Sequence, residues 1–190
     1  MKTISCALLA LSLLGCGQAI DSRGPDMSER HASQNREAEF QLTSEQFASA
    51  FNAAARAYGQ PFKINKIEVR HGAVHDYFQQ NITSGISLTA AVSKETGHIT
   101  SVTALVAEGS ANNDGSSDKR NNVLAISEVV AATVNPRLSQ DKAAELVRDM
   151  MQEASNSTDA GKFPQRFIND VRYVLRNGSG IGYWWIANPV

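Results

Sequence analysis

The sequence predicts an α+β domain, with an antiparallel sheet of about five to six strands and three helices packed mainly on one face. Three observations carry this. Three stretches bear apolar residues at helical spacing, several short runs alternate apolar and polar residues with period two, and two polar turns join such runs into hairpins.

The first helix is the best specified. Thr43-Ser44-Glu45-Gln46 fits a capping box, with Thr43 as N-cap and Gln46 reaching back to its amide. Leu42 and Phe47 stand at the positions of a hydrophobic staple. Phe47, Ala50, Phe51, Ala54 and Tyr58 follow at helical spacing, and Gly59 with Pro61 ends the run. Strands follow. Ile67 and Val69 alternate with Glu68 and Arg70, and a second run covers residues 74–82. Ile86, Leu88, Ala90 and Val92 alternate with Ser87, Thr89, Ala91 and Ser93. Lys94-Glu95-Thr96-Gly97 then turns the chain into a strand over 98–106. Residues 109–122 read as a polar, glycine- and asparagine-rich loop.

A strongly apolar helix is expected over 122–134, closed by Asn135-Pro136, and a third opens at Ser139 with Ala143, Leu146, Val147, Met150 and Met151. The chain closes with a hairpin: Val171, Tyr173 and Leu175, the turn Asn177-Gly178-Ser179-Gly180, then Ile181 to Ala187. Leu42-Thr43 and Leu138-Ser139 each open a helix, and Ser84-Gly85-Ile86 and Ser179-Gly180-Ile181 each open a strand. Offsets of about 95 residues allow two diverged α-then-β repeats; the alternative is that helix starts and hairpins simply resemble one another.

Domain limits follow from composition. A basic start, Met1-Lys2-Thr3, precedes an apolar run from Ile4 to Leu14, too short for the ~20 residues of a spanning helix. Residues 1–15 therefore read as a signal peptide. Leu13-Leu14-Gly15-Cys16 resembles the lipobox of bacterial lipoproteins. The resemblance implies diacylglycerol on Cys16, cleavage before it, and acylation, typically palmitate, of the new N-terminus. Several chains on one residue hold a protein stably, since each buried methylene contributes ~0.8 kcal/mol and one chain is marginal. Gly17, rather than an aspartate, points to the outer membrane in a double-membrane source, most simply its periplasmic face. Residues 16–39 are polar and mixed in charge, the composition of a lipidated flexible tether with a reach of roughly 25–30 Å. Residues 40–190 make one globular domain.

Several chemistries can be weighed on residues. Once Cys6 is discarded and Cys16 lipidated, no thiol is left for a disulfide, metal site or nucleophile. Net charge is −1 with no basic stripe, so nucleic acid is not an implied partner. Ser139-Gln140-Asp141-Lys142 has S-x-x-K spacing, but Ser139 reads as an N-cap. His71 and His75 have H-x-x-x-H spacing, but on a strand-turn-strand junction they would stand ~13 Å apart in extended chain. Residues 110–115 resemble part of a calcium loop, yet Ser110 and Asn121 occupy the places of its two strongest acids. Gly178, Gly180 and Gly182 open a strand rather than a helix, so they mark a turn.

Tyr183-Trp184-Trp185 is the most informative cluster. Alternation puts Trp184 on one face of a strand and Tyr183 and Trp185 on the other. Tyr183, Trp184 and Trp185 are the candidate binding residues, and no catalytic set, metal site or cofactor is expected. The expected function is non-enzymatic protein binding at the cell envelope, through the sheet or a groove beside the helices, against the bilayer that holds Cys16. A self-protection protein that intercepts a toxic enzyme is one form of it. A structural component of an envelope complex is an alternative. So is a small hydrolase, which would need acids such as Glu68, Asp76 and Glu108 to converge with His75.

Overall fold

A computed structural model of the chain describes residues 37–107, 116–156, 163–178 and 180–190. All of them belong to one unit, Glu37–Val190. The lipobox with Cys16, the tether to residue 36 and the calcium-like stretch 110–115 lie outside the described residues. The elements run α1 (Ser44–Ala57), β1 (Asp76–Thr83), β2 (Ile86–Val92), β3 (Ile99–Ala107), α2 (Ser116–Val134), α3 (Gln140–Asn156), β4 (Gln165–Ile168), β5 (Val171–Gly178) and β6 (Gly182–Pro189). The six strands form one sheet in the order β1-β2-β3-β6-β5-β4, with every neighbouring pair antiparallel. The expected α+β class stands.

Helix α1 starts as its sequence dictates. The Gln46 amide donates to Thr43 Oγ1 and the Thr43 amide donates to Gln46 Oε1, so two orphan donors of the first turn are satisfied reciprocally. At the other end Gly59 sits at φ 65, and the Gln60 and Gly59 amides donate to the Ala55 and Arg56 carbonyls. That is a Schellman closure, which a glycine makes without Cβ strain. Helix α3 is capped by Ser139, whose Oγ accepts from the Lys142 amide at 3.4 Å.

All three helices feed one core on one side of the sheet. Helix α2 touches β3, β6, α1 and α3. It is buried on several sides, through Val123, Ile126, Val129, Val130 and Ala131. Phe47 of α1 meets Phe51 and Phe78 with ring centroids 6.1 and 5.9 Å away. Each such side chain, fully buried, contributes about 1.5–3 kcal/mol. The segment before α1 is tied to β3, because the Phe40 amide donates to the Ile99 carbonyl and the Ile99 amide to the Leu42 carbonyl.

Three expectations need correction. Residues 67–70 are not a strand. Gln80 Nε2 donates to the Lys66 carbonyl and Arg70 makes an isolated bridge to Tyr77, so the segment flanks β1 without a ladder. Helix α2 begins at Ser116 rather than near 122, so the expected loop is shorter at that end. Near its start, Lys119 Nζ lies 5.1 Å from the centre of the Tyr183 ring, a cation–π contact to β6. Strand β4 was not anticipated. It is four residues long and joined to β5 by Asn169 (φ 51) and Asp170 (φ 65), a two-residue turn that needs positive φ twice.

An α-β-β-β order does occur twice, with α2 between the two sets. Leu42-Thr43 and Leu138-Ser139 open equivalent helices in it. Gly85-Ile86 and Gly180-Ile181 do not correspond, since the first pair leads from β1 into β2 and the second from β5 into β6.

Candidate functional site

Strand pleating gives the sheet two unlike faces. Across the middle, Phe78, Ala90, Val102, Ala187 and Tyr173 are register partners, and all are buried beneath the helices. The adjacent row, Gln79, Thr89, Thr103, Ile186, Val174 and Gln165, points the other way. No helix among the described residues covers this second face.

The aromatic cluster on β6 divides between the two. Trp185 is 1% exposed, lies between Ala104 and Leu175, and stacks on Tyr173 with centroids 5.4 Å apart. It is a core residue. The expectation that it contacts a partner is corrected, because the pleat turns it under the helices. Tyr183 shares that side and is half-buried against the core, beneath Lys119. Trp184 alone of the three stands on the open face, half-buried, opposite Leu105 on β3 and Arg176 on β5. Its ring rests over Gly178: a β-carbon there would lie 2.6 Å from the indole, which would have to shift to admit one.

The open face carries further residues that the sequence did not single out. Phe167 on β4 is 61% exposed and opposes Arg172. Arg172 and Arg176 are exposed and flank Val174. The Arg176 guanidinium lies 4.8 Å from the Phe163 ring centre. Ile186, Leu105 and Val174 supply half-buried apolar surface among Thr89, Ser87 and Thr103. Arginine and tryptophan are the residues most often found to dominate binding energy at protein interfaces.

A second concave feature lies on the helical side. A groove of about 1020 Å³ is bounded by Ala50, Ala53 and Ala54 of α1, by Val134 and Leu138, and by Val171. At its rim Arg137 donates to Asp170 at 3.2 Å and to the Asn169 carbonyl at 3.3 Å.

The three histidines among the described residues each pair with a different carboxylate. His71 Nδ1 lies 2.9 Å from Asp76, His75 Nδ1 lies 3.6 Å from Glu37, and His98 Nδ1 lies 3.3 Å from Glu39. Burial raises the Glu39 carboxyl, but hydrogen bonds from Thr96, Ser93 and His98 outweigh it, leaving its pKa below the ordinary value. Burial likewise raises Asp76, while His71 and Lys94 bring it down overall. Of the acids named for a hydrolase, Glu68 pairs with Lys66 at 3.3 Å, Asp76 turns to His71, and Glu108 is outside the described residues. Lys142 Nζ bonds Glu145 at 2.9 Å, so the S-x-x-K amine is engaged by a carboxylate, and Ser139 serves as the helix cap. Among the described residues no group of three or more His, Cys, Asp or Glu is placed to hold a metal ion, and no helix is long and apolar enough to cross a membrane.

Compared with known protein families, curated proteins and solved structures, the chain matches none.

Proposed function

We propose that this chain is a membrane-anchored, non-enzymatic protein-binding lipoprotein of the cell envelope, held by acylated Cys16 and binding through the open face of its sheet. The observation that carries this reading is Trp184 standing among Leu105, Ile186 and Val174 on a face that no described helix covers. An apolar surface of this kind, bordered by polar strands, is characteristic of interaction sites rather than of idle surface. The sheet is favoured over the groove because it unites a tryptophan with two arginines. The groove has no tryptophan in its lining, and its arginine, Arg137, is already engaged by Asp170 and the Asn169 carbonyl. Periplasmic interception of a toxic enzyme is the most specific form of the proposal.

The test is in-cell crosslinking and affinity capture of the full chain, with partners identified by mass spectrometry. Trp184→Ala is expected to abolish capture of one stoichiometric partner, while Ala53→Trp, which fills the groove, leaves it intact. Loss with Ala53→Trp alone would move the site to the groove. No specific partner for the unaltered chain would overturn the binding role. Cys16→Ala is expected to abolish palmitate labelling and release the protein from the membrane fraction; unchanged labelling would remove the lipoprotein reading.

A further inference from the structure

The charge on the open face is one-sided. Register assigns to this face Tyr77, Gln79 and Asn81 of β1, Ser87, Thr89 and Ala91 of β2, and Ser101, Thr103 and Leu105 of β3. From the other half come Trp184, Ile186 and Asn188 of β6, Arg172, Val174 and Arg176 of β5, and Gln165 and Phe167 of β4. None of these is acidic, and the two that are charged are both arginines. Five acids, Glu45, Asp141, Glu145, Asp149 and Glu153, are exposed on the helices. Asp170, the acid nearest in sequence to Arg172, is paired with Arg137. A chain of net charge −1 therefore presents a sheet face with two cations and, among the described residues, no acid on the strands of that face.

The arginines are also spaced for a purpose. They sit four residues apart on one side of β5, which places their backbones about 13 Å apart. Val174 lies between them, with Ile186 beside it and Trp184 opposite Arg176. Phe163 holds the Arg176 guanidinium by a stacked contact, reducing the freedom it would lose on binding.

We infer that this face receives an acidic protein segment, one that presents two carboxylates about 13 Å apart on either side of an apolar side chain. The carboxylates meet Arg172 and Arg176 as forked, charge-assisted hydrogen bonds. The apolar side chain settles on Val174, Ile186 and Trp184. Such spacing is that of residues i and i+4 of an extended strand, with the apolar residue at i+2. Two cations are too few to hold a phosphate backbone, whose binding rests on many neutralised charges, and the hydroxyl- and amide-rich remainder of the face is unlike a polybasic membrane-binding surface. The inference rests on the sheet-face reading above and adds the chemistry of the partner.

The experiment places a benzophenone-bearing amino acid at Gln165, an exposed open-face position beside Val174, in the full chain in cells; Gln152 on α3 serves as the control site. Illumination is expected to yield one protein adduct from Gln165, with the crosslinked peptide rich in acidic residues. Arg172→Glu with Arg176→Glu is expected to lower its yield by at least about tenfold, since like charges then face one another. Arg172→Lys with Arg176→Lys is expected to retain an intermediate yield, because lysine keeps the charge but lacks the fork. Thermal melts of each variant check the fold. An adduct unchanged by charge reversal would overturn the acidic partner and leave the binding face standing. Adducts to lipid alone would overturn it in favour of a membrane surface. No adduct from Gln165 in the unaltered chain would remove the face and the reading beneath it.

Discussion

Trp184 and Trp185 are adjacent in the chain and belong to different parts of the molecule. Trp185 is packed between Ala104, Leu175 and Tyr173, under the helices. Trp184 lies over Gly178 on the side that no described helix covers. The same alternation runs along β5, where Val171, Tyr173 and Leu175 are buried and Arg172 and Arg176 are exposed. One face of the sheet has spent its side chains on stability, and the other holds residues whose presence stability does not explain. A substitution should therefore reveal its face by which property it changes.

The largest effect is expected at Trp185. Trp185→Ala should cost about 3–5 kcal/mol, as for large aromatic truncations in a close-packed core, measured by chemical denaturation. Trp184→Ala should cost about 1 kcal/mol and remove partner capture instead. A reversal of these two costs would break the assignment of the faces.

Tyr173 sharpens the same contrast through pH. Burial pushes its phenol up to about 12, whereas an unfolded tyrosine titrates near 10. The folded state thus keeps the proton that the unfolded chain loses first. Stability should be intact below pH ~10 and decline between ~10 and ~12, by about 2–3 kcal/mol in total. Tyr173→Phe should flatten that decline in alkaline denaturation curves, and an unchanged decline would place its origin elsewhere.

Gly178→Ala should cost about 1–2 kcal/mol, because the indole of Trp184 must shift to admit the methyl group. The accompanying change in tryptophan emission would identify Trp184 as the residue that moves, and an unaltered spectrum would count against the contact. The smallest effect belongs to Arg172→Ala, expected to alter stability by no more than about 0.5 kcal/mol. A larger loss would mean that this arginine serves the fold.

Much of the fold was legible before the structure, and the reason is local. The capping box at Thr43, the alternation from Ile86 to Val92, and the N-cap at Ser139 are each written within a few adjacent residues. The sidedness of β6 was not, because Tyr183, Trp184, Trp185 and Ile186 are apolar at both parities. Only pairing with Ala104 and Val106 of β3 decides which of them face the core. Strand β4 was hidden by its length and by Gln165 and Arg166, which blur its alternation, although Asn169-Asp170 is a composition suited to a tight hairpin. The arginine pair was half legible: Val171, Tyr173 and Leu175 already implied that Arg172 and Arg176 share the opposite face. That no acid on the described strands joins them there required the register of all six strands.

The margins of the sheet constrain how anything can approach it. On the outer side of β1, Tyr77 has both backbone groups engaged by Arg70, and the Lys66 carbonyl is taken by Gln80. On the other margin, β4 offers only four residues, too brief a template for strand addition. The Arg70 pairing occupies one outer position of β1 and the shortness of β4 limits the other border, so both narrow the length over which another chain could extend the sheet sideways. A partner would then lie flat on the open face, and the orientation in which two molecules meet would be decided by the borders as much as by the surface between them.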